Sequence, residues 1–169
     1  MAQPTATSIW TFQELSATLS SWTKSSWTPL ADTWYLISVT SRSSVSSTDP
    51  PQPTLTGNSI TWDVVKTSLY SSTSGATRFR TTLFKGRNAS PSAGTLGIDE
   101  SGQIQTYLDA VCDKLLNVNP TNPIVDTNTV ASNGSTVASL TVTINNLFGH
   151  DNNVAYGVFG YGTGAAVTT

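Results

Sequence analysis

Apolar and polar residues alternate in several short runs of the chain, as in strands that bury one face. In Trp34–Thr40, the side chains of Tyr35, Ile37 and Val39 fall on one side, with polar residues among those between them. The same alternation marks Ile60–Val64, Arg78–Lys85 and Gly94–Asp99. Clusters of Gly, Pro, Ser and Asn separate these runs at intervals of about ten residues. This spacing predicts an all-β sandwich or barrel.

The final third of the chain continues this pattern. Three further strands are predicted, over Ile124–Val130, Leu140–Ile144 and Val154–Tyr161. Asn133 and Gly134 form a dipeptide typical of a tight hairpin turn. About eight strands are predicted in all.

The stretch Gln103–Leu116 is ambiguous. Five apolar residues recur there at helical spacing, namely Ile104, Leu108, Val111, Cys112 and Leu115. Ser101 is placed to cap such a helix. The pattern alone therefore indicates a helix.

The opening segment also carries a helical signature. Thr11–Glu14 fits a capping box, and Phe12, Leu15, Leu19 and Trp22 follow at steps of three or four residues. A short helix or arm is predicted over residues 1–20, before a β-sandwich domain over 21–169. We expect this arm to order against a neighbouring subunit or the capsid, because a short helix is marginal alone.

The composition narrows the class of partner. Close to a third of the residues are Ser or Thr, only 11% are charged, and the net charge is −2. Nucleic-acid binding requires concentrated Lys and Arg, so it is not expected. No apolar stretch is long enough to predict a membrane span. Four basic residues do cluster along the chain and indicate either a solvated sheet face or a contact with an acidic partner: Arg78, Arg80, Lys85 and Arg87.

Catalytic equipment is missing from the pattern. The single histidine, His150, lies in a predicted turn, and the adjacent Asp99 and Glu100 would point to opposite faces of a strand. Residues 151–153 offer oxygen ligands for calcium, but they hold one carboxylate and match no EF-hand spacing. Cys112, the sole cysteine, is expected to be a small buried hydrophobe. We therefore predict no enzyme activity, no metal and no cofactor.

The five tryptophans have two possible uses, because a large aromatic ring serves either a core or a binding platform. Trp34 and Trp62 are expected in the core. Trp10, Trp22 and Trp27 are expected in self-contacts, with a partner surface as the alternative.

Two elements of the chain resemble a domain of tailed-bacteriophage structural proteins. The first is Thr-Gly-Asn-x-x-Thr-Trp at residues 56–62, and the second is Pro-Ser-Ala-Gly-Thr-x-x-Ile-Asp at residues 91–99. The resemblance leaves out residues 1–20. It implies a virion β-sandwich with a capsid decoration (cement) or tail-associated role, and it implies that Leu108–Leu116 is a strand.

The fold expected on all these grounds is a jelly-roll-like antiparallel β-sandwich, with an immunoglobulin-like sandwich as the alternative. The expected function is capsid decoration at the virion surface. Its partners would be the major capsid protein and further copies of the chain in a homotrimer. The alternative is a tail-fibre or adhesin module that binds cell-surface carbohydrate.

Overall fold

A computed structural model describes residues 2–14, 18–71, 77–124, 126–131, 141, 143 and 156–158. Within them are eight strands and no helix. The strands are β1 Thr5–Glu14, β2 Ser21–Trp27, β3 Trp34–Ser43, β4 Thr54–Gly57, β5 Thr61–Ser71, β6 Arg78–Arg87, β7 Gly94–Asp99 and β8 Gln105–Leu116. The predicted all-β sandwich is confirmed.

The strands form two antiparallel sheets, one of five strands in the order β1-β8-β3-β6-β5 and one of three in the order β2-β7-β4. The pairs β1–β8, β2–β7 and β3–β6 are nested, as though one long hairpin had been wrapped around the core. This is the jelly-roll arrangement. β4 and β5 do not form the innermost pair of this arrangement, because β5 extends the larger sheet beside β6 instead of pairing with β4.

The core lies between the two sheets and consists of an apolar cluster, beside which Ser41, Thr82, Glu100 and Gln105 are also completely buried. β3 and its neighbours β6 and β8 supply the inner face of the larger sheet, and β2, β4 and β7 supply the opposing face. The buried residues of this cluster are Trp22, Tyr35, Ile37, Val39, Leu55, Ile60, Phe84, Leu96, Ile98, Leu108, Ala110 and Cys112. The alternation of residue types that predicted β3, β6 and β7 arises because these strands direct every second residue into the core.

The turn between β4 and β5 requires glycine at its first position. Gly57 has a φ of 113°, and a Cβ there would lie 2.1 Å from the carbonyl oxygen of Thr95. Asn58 and Ser59 follow with φ values of 57° and 54°. This left-handed turn directs the chain from the smaller sheet to the larger one.

The predicted N-terminal helix is wrong. Thr5–Glu14 is strand β1, paired with β8, and Ser21–Trp27 is strand β2 in the other sheet. Trp10 and Phe12 pack against the core cluster. The opening residues therefore belong to the sandwich.

The helical pattern over Gln103–Leu116 was also misleading, since Gln105–Leu116 is β8, and the strand implied by the resemblance is confirmed. In the final third, Ile124 and residues 126–130 are not in a strand, which contradicts that prediction. The strands predicted over Leu140–Ile144 and Val154–Tyr161 and the Asn133-Gly134 turn fall almost wholly outside the described residues.

Candidate interaction surfaces

The four clustered basic residues do not form one patch. Alternation along β6 places Arg78 and Arg80 on one face of the strand and Lys85 and Arg87 on the other. Arg80 donates from Nε to the carbonyl oxygen of Pro50 at 2.7 Å and from Nη1 to Thr67 Oγ1 at 3.2 Å. Both hydrogen bonds are made within the chain, so Arg80 contributes to the fold.

Arg87 is likewise engaged at the opposite end of β6. It pairs with Asp32 across 3.0 Å and donates to the carbonyl oxygen of Pro120 at 2.6 Å. Together with Lys85, it lies within 6 Å of the Trp34 ring, 5.8 Å for the Lys85 ammonium and 5.9 Å for the Arg87 guanidinium. Such cation–π contacts add modest stability at the surface.

None of the five tryptophans is exposed. Trp22 is a core residue, while Trp10, Trp27 and Trp62 are partly buried against the core. The rings of Trp10 and Trp27 meet edge to face, 6.0 Å apart, which confirms the expected self-contact. Trp34 is half-buried on the outer side of the larger sheet, away from the predicted core position, and donates to the Pro120 carbonyl oxygen.

Glu100 is the least expected residue of the fold. Asp99 and Glu100 differ in exposure as predicted, but Glu100 is completely buried where β7 leads towards β8. Neither of its carboxylate oxygens has a hydrogen-bond partner. Burial raises the pKa of Glu100 to about 7, although the nearby Ser41 hydroxyl and Arg80 guanidinium act in the opposite direction. Sequence reasoning missed this site because an acidic residue beside a turn is normally exposed.

Cys112, His150 and the residues that follow His150 are the other candidates for chemistry. Cys112 is completely buried, as predicted, and burial raises the pKa of its thiol. His150 and the candidate calcium ligands at residues 151–153 lie outside the described residues. No group of three or more His, Cys, Asp or Glu side chains suited to a metal occurs in the described part of the chain.

The outer face of the larger sheet is partly covered by residues that follow β8. Ser38 and Thr40 are buried there, and they line a cleft of about 200 Å³ together with Asp109, Val111, Asp113 and residues 156–158. Tyr156 donates its hydroxyl hydrogen to Asp113. A second cleft, of about 300 Å³, is lined by Val64, Val65, Lys85, Ile124, Asp126 and Thr127. Much of this face therefore contacts the chain itself.

The smaller sheet presents a different outer face, which is open. Its outward positions are mainly hydroxyl-bearing or glycine, because alternation turns the apolar partners Trp22, Leu55 and Ile98 inward. The exposed residues include Ser21, Thr23, Thr54, Thr56, Thr95 and Asp99. One carboxylate is the only formal charge among these six.

One end of the sandwich exposes three aliphatic side chains, which we call the end patch: Leu19, Val45 and Ile104. They are 50%, 55% and 45% exposed. Backbone hydrogen bonds hold their three loops together, since Gln105 donates to the Leu19 carbonyl oxygen at 3.0 Å and Ser44 donates to that of Ile104 at 3.2 Å.

The segments that carry the end patch are polar, and the nearest charge is that of Arg42, which donates from Nε to Thr106 Oγ1 at 2.8 Å. Residues 18–23, 43–48 and 101–108 contain no charged side chain and are rich in Ser, Thr and Gln. An apolar centre with a rim of this kind is typical of protein–protein contacts, whose centres are depleted of charge. No sequence motif marked the end patch, because its members lie on three separate loops.

Two further observations bear on the class of protein. No helix in the described part of the chain is long and apolar enough to cross a membrane. Comparisons of the chain with protein families, with characterised proteins and with solved structures found no match.

Proposed function

We propose that the protein is a virion structural protein of a tailed bacteriophage that decorates the assembled capsid and stabilises it. The end patch is the single observation that carries this proposal. Three exposed aliphatic residues at one end of the sandwich form a ready contact surface, and the segments that carry them contain no charged side chain. The occupant is the shell formed by the major capsid protein.

The remainder of the surface supports the same proposal. A decoration protein must be present in many copies at close spacing. The hydroxyl-rich outer face of the smaller sheet and the low net charge of the whole chain, −2, keep the repulsion between neighbouring copies small. Many weak, symmetric contacts with a lattice add through avidity, so no deep pocket is needed.

The carbohydrate-binding alternative has less support. It requires an exposed Trp or Tyr ring face on which a sugar can stack, and none of the five tryptophans or the four described tyrosines is exposed. Trp34 is half-buried on the outer side of the larger sheet, but Lys85 and Arg87 already lie beside its ring.

The experiment is a binding assay with capsids that lack the protein. The purified chain should attach at a copy number that follows the number of capsomers, as measured by quantitative gel analysis of washed particles. Leu19→Asp combined with Ile104→Asp should weaken attachment at least tenfold, because burying two such side chains contributes about 1.5–3 kcal/mol each.

Leu30→Asp is the matched control. Leu30 is 57% exposed but lies in the connection between β2 and β3, at the other end of the sandwich. This variant should attach like the wild type. Attachment that survives the double substitution would refute the role of the end patch. A few copies per particle, or copies found only on tails, would contradict decoration and favour the adhesin.

A further inference from the structure

Backbone hydrogen bonds join the completely buried Glu100 to two loops of the end patch. The N–H of Glu100 donates to the carbonyl oxygen of Ser20 at 2.8 Å, and Ser20 follows Leu19 in the chain. The carbonyl oxygen of Glu100 accepts a hydrogen bond from the N–H of Gln103 at 3.0 Å, and Gln103 precedes Ile104. Two of the three patch residues are therefore one position away from a hydrogen-bond partner of Glu100.

The third patch residue is joined to Glu100 through Gln103. The side-chain amide of Gln103 donates from Nε2 to Ser43 Oγ at 2.9 Å, and the same oxygen accepts a hydrogen bond from the N–H of Val45 at 3.1 Å. All three loops of the end patch are thus connected to one buried carboxyl group. A change at Glu100 that breaks these hydrogen bonds would loosen the whole patch.

The side chain of Glu100 lies among buried oxygens that lack a partner. Neither of its carboxylate oxygens is hydrogen-bonded, and Ser41 Oγ and Gln105 Oε1 are also buried without a partner. A carboxylic acid can donate a hydrogen bond to oxygens of this kind, whereas a carboxylate can only accept. An unpaired charge in such a setting costs free energy, so burial favours the acid form of Glu100.

The charged groups that act on Glu100 from the neighbouring strands do not remove this preference. Arg80 of β6 favours the ionised form, although its own hydrogen bonds are made elsewhere. Asp99 at the end of β7 opposes ionisation, and Asp49 acts on Arg80 and offsets part of its charge. Ser41 of β3 contributes only a hydroxyl, and the segments that carry the end patch add no charged side chain. Burial is the largest effect and raises the pKa of Glu100 to about 7.

We propose that Glu100 is a protonation switch for the end patch: the acid form keeps the three loops together, and the ionised form loosens them. The carboxylate gains water by a local opening that breaks the hydrogen bonds to Ser20 and Gln103. A capsid seated on Leu19 and Ile104 holds the loops closed and so selects the acid form. The effect on attachment rests on the proposed function, but the opening of the loops does not.

Amide hydrogen exchange of the free, full-length chain tests the opening. The N–H of Gln105 donates to the carbonyl oxygen of Leu19 at 3.0 Å, so its exchange reports on the end patch. After correction for the intrinsic rate at each pH, its protection should fall at least tenfold between pH 5 and pH 8. Glu100→Gln should keep the protection constant over this range, because its side chain does not ionise. Asp63→Asn, at an exposed position of β5, is the matched control and should behave like the wild type.

The amides of β3 distinguish a local opening from unfolding of the whole chain. β3 is paired on both sides, with β6 and β8, so its amides exchange when the fold opens globally. At pH 8 the amide of Gln105 should exchange at least tenfold faster than those of β3. Equal rates would overturn the switch, because Glu100 would then act only through global unfolding. Protection of Gln105 that does not change with pH, or a fall that Glu100→Gln retains, would overturn it as well.

Capsid attachment at two pH values tests the consequence for the partner. Attachment of the wild type should weaken at least fivefold between pH 6 and pH 8.5, and Glu100→Gln should attach equally at both. Wild-type attachment that is independent of pH, or a decline shared by Glu100→Gln, would refute the coupling between Glu100 and the partner. Failure to attach at every pH would contradict the proposed function and leave the exchange result to decide the switch.

Discussion

The side-chain amide of Asn58 donates a hydrogen bond to the carbonyl oxygen of Gly94, 3.2 Å away. The same nitrogen lies 3.2 Å from the carbonyl oxygen of Ser92 and 3.0 Å from that of Trp27. Asn58 is 3% exposed and occupies the left-handed turn after Gly57. It thus ties the turn between the sheets to β2 and to the start of β7. The two sequence elements at residues 56–62 and 91–99 meet at this contact.

Replacing Asn58 should destabilise the fold without affecting any other site. Asn58→Gly keeps a residue that accepts the left-handed backbone but removes the amide, so its cost isolates the lost hydrogen bonds, about 1–3 kcal/mol. Asn58→Asp should cost more, because a carboxylate cannot donate and would face three carbonyl oxygens. Denaturant unfolding measures both.

Ser59→Ala provides the comparison for Asn58. Its hydroxyl lies 2.9 Å from that of Ser92 in an exposed setting, and its removal should cost about 0.5 kcal/mol or less. If Asn58→Gly proved as stable as the wild type, the amide contacts would contribute nothing to the fold.

Glu100 makes stability depend on pH. Its pKa is raised from the ordinary 4.5 to about 7 by burial, so the folded chain binds a proton that the unfolded chain has released between these values. Stability should therefore fall as the pH rises from about 4.5 through 7 and change no further above that on this account. Asp99 adds to the raised pKa, and Arg80 opposes it.

Glu100→Gln should remove most of this pH dependence and stabilise the protein at pH 8 by about 3 kcal/mol, the free energy that corresponds to the shift. Chemical denaturation at pH 5 and at pH 8 gives the comparison. Asp63→Asn is the control, at an exposed position of β5. Stability that rises between pH 5 and pH 8 in the wild type, or a decline that Glu100→Gln leaves intact, would contradict the assignment.

β1 should be required for the stability of the monomeric unit. Phe12→Ala should lower the free energy of unfolding by about 2 kcal/mol, less than the 3–5 kcal/mol typical of a fully buried ring, because Phe12 is half-buried. Thr11→Ala, on the exposed side of the same strand, should change it by no more than about 0.5 kcal/mol. Thermal and denaturant melts provide the test. Equal, negligible effects would revive the expectation that the opening residues are a dispensable arm.

The sequence was informative wherever a strand has one buried and one polar face. β3, β6 and β7 could be predicted for this reason. β8 could not be predicted from its pattern, because both of its faces are partly covered. Leu108 and Cys112 turn into the core, while Val111 and Leu115 lie on the other face, and the resulting spacing imitates a helix. The apparent N-terminal helix had a similar cause, since Phe12 and Trp22 belong to different strands that happen to lie at helical intervals.

The candidate surfaces could not be predicted from the sequence pattern, because they depend on how the strands are connected in space. Leu19, Val45 and Ile104 become neighbours only when the jelly-roll wrapping brings three loops to one end. Glu100 is buried where the chain passes from β7 in the smaller sheet to β8 in the larger sheet. The outward Thr positions of the smaller sheet, in contrast, follow from alternation alone.

The nested pairing of strands has a consequence for the order in which the protein can fold during synthesis. Thr5 is the register partner of Leu116, so β1 can pair with β8, the last of the described strands, only after β8 has left the ribosome. The inner pair β3–β6 closes a much shorter loop and can form earlier. Non-local contacts of this kind slow folding, because the entropy of a long loop is lost before the contact forms. Until β8 emerges, β1 lacks its partner among the described strands and β3 is paired on one side only, with β6, so the growing chain is most exposed to association with other chains during that interval.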